Sequence, residues 1–276
     1  MNTKTPVDLP EGYLDFYKNL ESWQNQQQIK LKQAYTPAAI DVVKIMDQTK
    51  RSVMQSIDFE LDASVFREVY LELLKFLQES RPETADQIEK IRSASIQFDF
   101  EVLPVKIMEG DRPYFASLAQ KHELAEELLV FSVDHTLRPF LRLWAAPYRT
   151  AFSEAGFDAW DFATVCPFCA AKSNFSRVRA ADGRRFMFCD HCFTEWETRN
   201  LCCVHCGNSN PHSISFLTVE GFPAYQAYIC AECKGYSKSF DERQKAIRID
   251  PFITNIETIY LDLMAQEQGY TSHEEA

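Results

Sequence analysis

The fold of this chain is decided by a stretch that begins with Cys166-Pro167-Phe168-Cys169 and ends with Cys230-Ala231-Glu232-Cys233. Eight of the nine cysteines lie in it, as four Cys-x-x-Cys pairs: Cys166/Cys169, Cys189/Cys192, Cys203/Cys206 and Cys230/Cys233. A Cys-x-x-Cys turn directs two thiolates at one ion, and two such turns supply the four sulfurs of a tetrahedral site. The pattern therefore predicts two metal sites, with these eight cysteines as the ligands.

The spacing groups neighbouring pairs. Nineteen residues separate Cys169 from Cys189, which is within the range of four-cysteine ribbons, and 23 separate Cys206 from Cys230, which is slightly longer but of the same form. Each intervening loop has turn residues between apolar runs, Ala181-Asp182-Gly183 in the first and Glu220-Gly221-Phe222-Pro223 in the second, so each is predicted to be a β-hairpin. A cross-brace between the first and third motifs is the alternative, but each hairpin already brings sequential motifs together.

Two interpretations without metal compete with this one. Four disulfides suit a small secreted scaffold, whereas this chain has 276 residues and its start, Met1 to Pro6, lacks the apolar core of a signal peptide. A thioredoxin-type motif needs one Cys-x-x-Cys at a helix start after a strand, and nothing in the sequence supplies that setting. The ninth cysteine, Cys202, is either a spare thiol or a small core residue, and the core role is favoured.

Composition and charge exclude several classes of protein. The net charge of -11 repels a phosphate backbone, so no nucleic-acid partner is expected. A short basic strip around the first hairpin is interpreted as a solvated strand face or a patch for an acidic partner; it comprises Lys172, Arg177, Arg179, Arg184 and Arg185. No apolar run approaches the roughly 18 residues that cross a bilayer, so we expect no membrane insertion and a cytoplasmic location.

Before the cysteines, the apolar residues recur three and four positions apart, as in amphipathic helices. The pattern predicts helices over Ala39 to Met54, Val65 to Leu77 and Tyr114 to Val133, and roughly six helices before residue 160. Pro139 should kink or divide a dense apolar helix, within which His135 is interpreted as a satisfied core histidine. After the cysteines, Thr254 to Glu257 has a capping-box pattern that predicts a C-terminal helix ending near Gly269.

These elements define an α+β fold with four parts. Residues 1–160 are predicted to be an α-helical domain, 161–200 and 201–245 two four-cysteine modules of the zinc-ribbon type, and 246–276 a C-terminal helix and tail. No catalytic residue is predicted, because four cysteines close a metal's coordination shell and no nucleophile or phosphate-loop motif is present. His191 and His205, inside two of the turns, are expected to face solvent.

The order of these motifs resembles the formate dehydrogenase accessory protein family, FdhE. The resemblance rests on Cys166-Pro-Phe-Cys169, Phe188-Cys-Asp-His-Cys192 followed by Thr194-Glu195-Trp196, Cys203-Val-His-Cys-Gly207, Tyr228-Ile-Cys-Ala-Glu-Cys233 and Lys238-Ser-Phe-Asp241. It extends to Leu137-Arg-Pro-Phe-Leu141 upstream and to Asp250-Pro251 and Leu261-Asp-Leu-Met264 downstream. Family members often have glycine directly after a Cys-x-x-Cys, which accepts a positive φ. Here only Gly207 matches, and Ala170, Phe193 and Lys234 stand at the other three positions.

The resemblance implies a cytoplasmic maturation factor, with no enzymatic turnover, whose two rubredoxin-like modules follow a helical domain. Its partner would be the catalytic subunit of formate dehydrogenase, whose assembly into active enzyme it supports. The eight cysteines would hold two metal ions, and four thiolates accept either iron or zinc. The alternative function is an iron-containing rubredoxin-like redox or electron-transfer protein. The sequence leaves open whether the chain is a monomer or a homodimer.

Overall fold

The structure is a computed structural model that describes residues 9–57, 59–244 and 249–273. The helices before the cysteines are α1 (Tyr13–Lys32), α2 (Val42–Thr49), α3 (Val53–Ser56), α4 (Ala63–Ser80), α5 (Ala85–Ala94), α6 (Val102–Glu109), α7 (Arg112–His122), α8 (Glu126–Ala145) and α9 (Arg149–Glu154). The strands are β1 (Phe175–Val178), β2 (Arg185–Phe188), β3 (Glu195–Thr198), β4 (Ile214–Val219), β5 (Phe222–Cys230) and β6 (Tyr236–Asp241), and α10 (Pro251–Glu257) and α11 (Ile259–Glu267) follow. The predicted α+β class is confirmed.

The predicted helix from Val65 to Leu77 is present and lies within α4, whereas left-handed residues interrupt the other two predicted helices. Lys50, at φ 53°, ends α2, so the segment predicted as one helix from Ala39 to Met54 is split between α2 and α3. Glu123, at φ 55°, ends α7 within the predicted helix from Tyr114 to Val133. The described residues before 160 accordingly hold nine α-helical segments rather than about six. A periodic apolar pattern does not show where one helix gives way to the next.

The helix α8 is continuous through Pro139, so this residue does not divide the helix, and the kink that was the other expectation stays a prediction. Helix α8 buries Leu129, Val133 and Leu137 along one line of side chains. The interpretation of His135 as a core histidine is confirmed, because the Gln24 side-chain amide donates to its Nδ1 at 3.0 Å and to its carbonyl at 3.1 Å.

The chain divides into two compact units. One comprises Leu20–Thr36 and Asp58–Trp144 and is called the helical unit; the other comprises Met1–Asn19, Pro37–Ile57 and Ala145–Ala276 and is called the sheet unit. The helical unit packs aromatic side chains at its centre, where the ring of Phe66 on α4 lies 5.8 Å from that of Phe140 on α8. The predicted boundaries at residues 160, 200 and 245 remain predictions.

The sheet unit contains one six-stranded sheet in the order β3-β2-β1-β6-β5-β4. Strands β1 to β3 and strands β4 to β6 are two antiparallel meanders, and a parallel pair, β1 with β6, joins them. In each meander, one Cys-x-x-Cys turn precedes the first strand and the other lies between the second and third strands. The same short unit is thus used twice, and both copies share a single sheet.

Both predicted hairpins are present. In the first, Phe175 pairs with Phe188 and Val178 with Arg185 across the Asp182-Gly183 turn. The second turn is tighter than predicted, because β5 begins at Phe222 and leaves only Glu220 and Gly221 between the strands. Gly221 has φ 80°, which a two-residue hairpin turn favours.

The C-terminal helices pack on the sheet. Phe252, Tyr260 and Leu261 are buried in one cluster with Phe175 and Phe240 of the sheet. The capping-box prediction is wrong in detail, because α10 begins at Pro251 after the N-cap Asp250, whose carboxylate accepts the backbone N–H groups of Phe252 and Ile253. Thr254 therefore lies inside α10. Pro251 suits the first helical position, since it lacks the N–H that would stay unpaired there.

Candidate metal centres

All four Cys-x-x-Cys motifs form the same backbone turn. The N–H of the leading cysteine donates to the carbonyl five residues later at 2.8 to 3.0 Å, from Cys166 to Ala171, Cys189 to Thr194, Cys203 to Asn208 and Cys230 to Gly235. The residue after the second cysteine is left-handed in every turn, with φ 65° at Ala170, 62° at Phe193, 72° at Gly207 and 58° at Lys234. The positions at which the resemblance led us to expect glycine are therefore those that require a positive φ.

The first site comprises Cys166, Cys169, Cys189 and Cys192, which the first meander brings together. Cys166 Sγ lies 3.5 Å from Cys192 Sγ, and Cys169 Sγ lies 3.5 Å from Cys189 Sγ. All four sulfurs lie within 4.8 Å of one another. A tetrahedral ion with bonds of about 2.3 Å places its sulfurs about 3.8 Å apart, so this group fits zinc or iron.

The second site comprises Cys203, Cys206, Cys230 and Cys233. Cys203 Sγ lies 3.5 Å from Cys233 Sγ, and Cys206 Sγ lies 3.9 Å from Cys230 Sγ. These sulfurs also lie within 4.8 Å of one another. A disulfide requires about 2.0 Å between sulfurs, and all nine cysteines are free thiols in the structure. The structure thus groups the motifs sequentially, without the cross-brace.

The two sites differ in burial. In the first site, Cys166, Cys189 and Cys192 have no exposed surface and Cys169 is 6% exposed. In the second site, Cys206 is exposed and Cys233 is partly exposed. One sulfur quartet is enclosed by protein and the other has an open side.

The enclosure of the first site comes from helix ends. Backbone N–H groups of Val53 and Met54, at the start of α3, donate to the carbonyls of Pro167 and Phe168 in the first turn at 2.9 and 3.0 Å. Because the first N–H groups of a helix have no partner inside it, the turn supplies the acceptors they need. This contact holds the first turn against α3.

Arg149, the first residue of α9, donates hydrogen bonds to the second turn of this site, which carries Cys189 and Cys192. Its Nε and Nη2 donate to the Cys192 carbonyl at 3.2 and 2.8 Å, and its guanidinium lies 5.8 Å from the centre of the Phe193 ring. Burial lowers the pKa of Arg149, and the negative charges of Cys192, Cys189 and Cys166 oppose that change. Four thiolates around a divalent ion carry a net charge of about -2, which this cation partly neutralises.

A second arginine, Arg185 on β2, is fully buried in the sheet unit. Its guanidinium donates to Ser176 Oγ at 3.0 Å, Ser237 Oγ at 2.9 Å and the Cys202 carbonyl at 3.3 Å, and it lies 4.0 Å from the centre of the Tyr228 ring. Ser176 is on β1 and Ser237 on β6, so the contacts cross the parallel pair that joins the meanders. Burial lowers the pKa of Arg185, and Tyr228, Cys202 and Cys203 favour its charged form.

The thiols of the first site shift one another's pKa. Hydrogen bonds with Cys166, Cys189 and Cys192 hold the pKa of Cys169 above its ordinary value, and burial does the same for Cys189. Burial also opposes ionisation of Cys192, but hydrogen bonds with the other three thiols and with Thr194 outweigh it and lower the pKa. An ion entering this site therefore displaces protons that the quartet shares.

In the second site, backbone N–H groups point at the sulfurs. Burial opposes ionisation of Cys230, but the N–H of Cys233, the Asn208 amide and the N–H of Glu232 outweigh it and lower the pKa to about 7. The Gly235 N–H donates to Cys233 Sγ at 3.3 Å. Hydrogen bonds of this kind stabilise thiolates and tune a bound metal.

Two smaller expectations have different outcomes. His205 does not face solvent as expected, because its Nε2 is 2.8 Å from the Tyr236 carbonyl and its ring is partly buried. His191 is likewise partly buried. The core role of Cys202 is confirmed, since it is 8% exposed and its carbonyl accepts from Arg185.

Three arginines of the basic strip, Arg177, Arg179 and Arg184, form ion pairs within the sheet unit. Arg177 pairs with Glu195 at 2.5 Å and with Glu242 at 2.9 Å, and Arg184 pairs with Glu197 at 2.8 Å. The Arg184 side chain is still 45% exposed, so the solvated face and the patch for an acidic partner remain predictions for this residue. The basic residues of the strip are close together in sequence and could be recognised there. Glu195, Glu197 and Glu242 lie on β3 and directly after β6, so the sequence did not reveal these pairings.

Sequence reasoning missed Arg149, and it placed Arg185 in a solvated strip although this side chain is fully buried, so the solvated face is wrong for Arg185. Among the residues that it missed, only Gly235 had a visible signal. Gly235 lies two residues after Cys233 and directly before β6, and a Cβ there would meet the His205 ring at 2.6 Å. A lone glycine beside a strand is typical of such a close approach. Arg149 lies far from any cysteine in sequence, and nothing local marks it.

Comparisons of the sequence with known proteins find proteins named FdhE. Residues 201–275 match the family model described as "FdhE, C-terminal domain". Two curated relatives, each named "Protein FdhE homolog", come from Aquifex aeolicus, at 30% identity over 50% of this chain, and from Stutzerimonas stutzeri, at 32% over 39%. The matched segments span 50% and 35% of those relatives, so the chain matches half of their length or less.

A solved structure extends the likeness of fold to nearly the whole chain. The crystal structure of the FdhE protein from Pseudomonas aeruginosa is similar with a TM-score of 0.61, covering 95% of this chain and 87% of that one. At 19% identity this match shows the fold alone. The C-terminal part of the chain is thus similar to the FdhE C-terminal domain and to proteins named FdhE homologues, and the fold of nearly the whole chain is similar to that of an FdhE protein.

Proposed function

We propose that this protein is an accessory factor that binds the catalytic subunit of formate dehydrogenase in the cytoplasm and supports its assembly into active enzyme. The observation that carries the proposal is the pair of preformed four-cysteine groups on one sheet, in a chain whose residues 201–275 match the FdhE C-terminal domain. We further propose that all eight cysteines bind metal and that the protein has no turnover of its own. Quartets of sulfur close the coordination shell, which is typical of structural metal sites.

The two metal centres would give the protein a rigid surface for its partner. A bound zinc or iron ion cross-links four thiolates, and iron also exchanges one electron. Residues of the chain would compensate the charge of these centres and hold them in position. Arg149 and Arg185 offset the negative charge of the thiolates, and the single sheet fixes one meander relative to the other through β1 and β6.

Binding of the catalytic subunit tests the proposal directly. The full chain, with two equivalents of metal verified by elemental analysis, is immobilised and exposed to the formate dehydrogenase catalytic subunit of the same organism. We expect saturable binding, with none for the catalytic subunit of a different molybdenum enzyme. Absence of binding by fully loaded protein would overturn the proposal.

A redox role is the second candidate, and the open side of the second site favours it. Electron transfer needs a partner to come close to the metal, and Cys206 is exposed. Iron bound there would give visible charge-transfer absorption that dithionite bleaches and air restores. A colourless protein with zinc in both sites rules this function out and leaves the accessory role untouched.

A further inference from the structure

The open side of the second site leads into a cavity within the sheet unit. The cavity has a volume of about 350 Å³ and is lined by Cys206 and Cys233, together with Thr164, Lys172, His205 and His273. Cys206 and Cys233 come from different turns, so both halves of the site reach the cavity. The enclosed first site has no comparably exposed cysteine.

The end of the described chain forms one wall of this cavity. The Thr271 N–H donates to the Lys234 carbonyl at 2.8 Å, and the Tyr236 N–H donates to the Thr271 carbonyl at 2.9 Å. Lys172 Nζ, from the first meander, donates to the His273 carbonyl at 3.1 Å. Hydrogen bonds therefore hold this wall of the cavity against the turn that carries Cys233.

Two imidazoles in the cavity have a defined tautomer. His205 Nε2 lies 2.8 Å from the Tyr236 carbonyl, and His273 Nε2 lies 3.2 Å from the Cys233 carbonyl. A carbonyl oxygen only accepts, so each Nε2 carries a proton, and in the neutral form of such a ring Nδ1 has a lone pair. Metal-binding histidines are typically anchored to a carbonyl in this way. The rings are close, with centroids 5.0 Å apart.

We propose that this cavity is the port through which a soft divalent metal ion enters and leaves the second site. Cys206 and Cys233 are the first thiolates that the ion reaches, and His205 and His273 hold it transiently on the way. The donors suit zinc or ferrous iron, since thiolate and imidazole are their preferred ligands. The inference rests on the proposed metal sites.

Metal release distinguishes the two sites. The full chain, loaded with two zinc ions, is mixed with excess 4-(2-pyridylazo)resorcinol, and release is followed by absorbance. We expect one equivalent to leave at least about tenfold faster than the other, since about 1.4 kcal/mol of extra opening free energy at the enclosed site is enough for that factor. Maleimide labelling after the fast phase should modify the second-site cysteines alone.

Substitutions in the cavity test the port itself. Thr164→Trp narrows the cavity and should slow the fast phase several-fold, whereas Thr218→Trp, on exposed edge strand β4, should not. His273→Phe keeps the bulk of the ring but removes the Nδ1 lone pair, so it should also slow this phase, with His212→Phe as its control. His273→Phe keeps the test decisive if Thr164→Trp does not fold.

Three results would overturn the inference. They are equal release rates from both sites, earlier labelling of the first-site cysteines, and a fast phase that neither cavity variant changes. Each of these leaves the accessory function standing, because two metal ions are still bound. A chain that binds no zinc or iron would overturn the metal sites and this inference together.

Discussion

The two four-cysteine groups have the same turns and the same order of strands, yet their surroundings differ. The first is enclosed, with its turns held by the start of α3 and by Arg149. The second is open at Cys206 and has backbone N–H groups directed at its sulfurs. The comparison shows that the cysteine pattern specifies the geometry of the four sulfurs, whereas helices distant in sequence decide whether solvent reaches them.

The largest expected effect is the loss of structure when one cysteine is replaced, and it should differ between matched positions of the two sites. Cys169 and Cys206 stand at equivalent positions, the first nearly enclosed and the second exposed. Cys169→Ser should unfold β1 to β3, because structural zinc contributes on the order of 10 kcal/mol. Cys206→Ser should cost the second metal but less structure, since water reaches the vacated ligand position.

Hydrogen exchange with mass spectrometry, together with metal content, measures this difference. Peptides of the helical unit serve as the internal reference and should keep their protection in both variants. Equal loss of protection across β1 to β3 and β4 to β6 in the two variants would show that the sites support the sheet equally.

The next effect concerns the buried cation between the meanders. Arg185→Leu should destabilise the metal-loaded protein by about 3 kcal/mol, because the charge of the second site loses its buried partner. The neighbouring Arg184→Leu is the control, and it should cost about 1 kcal/mol or less, since its ion pairs with Asp182 and Glu197 are partly exposed. Urea unfolding followed by fluorescence of the buried Trp196 measures both, and equal stabilities would refute a structural role for Arg185.

Arg149 offers a smaller effect confined to the first site. Arg149→Gln removes the cation beside the Cys192 carbonyl and should weaken metal retention there by about tenfold, as loss of an outer hydrogen-bond partner commonly does. Arg149→Lys should be intermediate, because it restores the charge but not the paired N–H donors. Chelator competition with site-resolved cysteine labelling checks this, and an equal change at the second site would contradict it.

The features of the fold that can be predicted from the sequence are those that neighbouring residues specify, whereas pairings between distant residues cannot be predicted in this way. The turns, both hairpins and the grouping of the cysteines follow from local spacing such as Asp182-Gly183 between apolar strands. The parallel pairing of β1 with β6 joins residues more than 60 positions apart, such as Phe175 and Lys238. Neither strand alone encodes that partner. The buried Arg185 follows from the same pairing, because its serine partners lie on the joined strands.

The smallest expected change is in stability, and it has opposite signs for substitutions at equivalent positions of the two sites. Ala170 and Gly207 each follow the leading Cys-x-x-Cys of their meander and have φ 65° and 72°. A left-handed conformation costs a residue with a Cβ about 1 to 2 kcal/mol, of which the entropy of glycine cancels about half. Ala170→Gly should therefore stabilise the protein by about 0.5 to 1 kcal/mol, and Gly207→Ala should destabilise it by a similar amount.

Urea midpoints of the metal-loaded variants measure the two changes under identical conditions. Nothing lies within 4 Å of a Cβ placed on Gly207, so its substitution reports backbone strain without a steric clash. Shifts of the same sign would mean that the enclosure of Ala170, and not its φ, decides the result. Midpoint shifts of opposite sign would show that the two turns have the same backbone requirement, and that the sites differ only in what surrounds them.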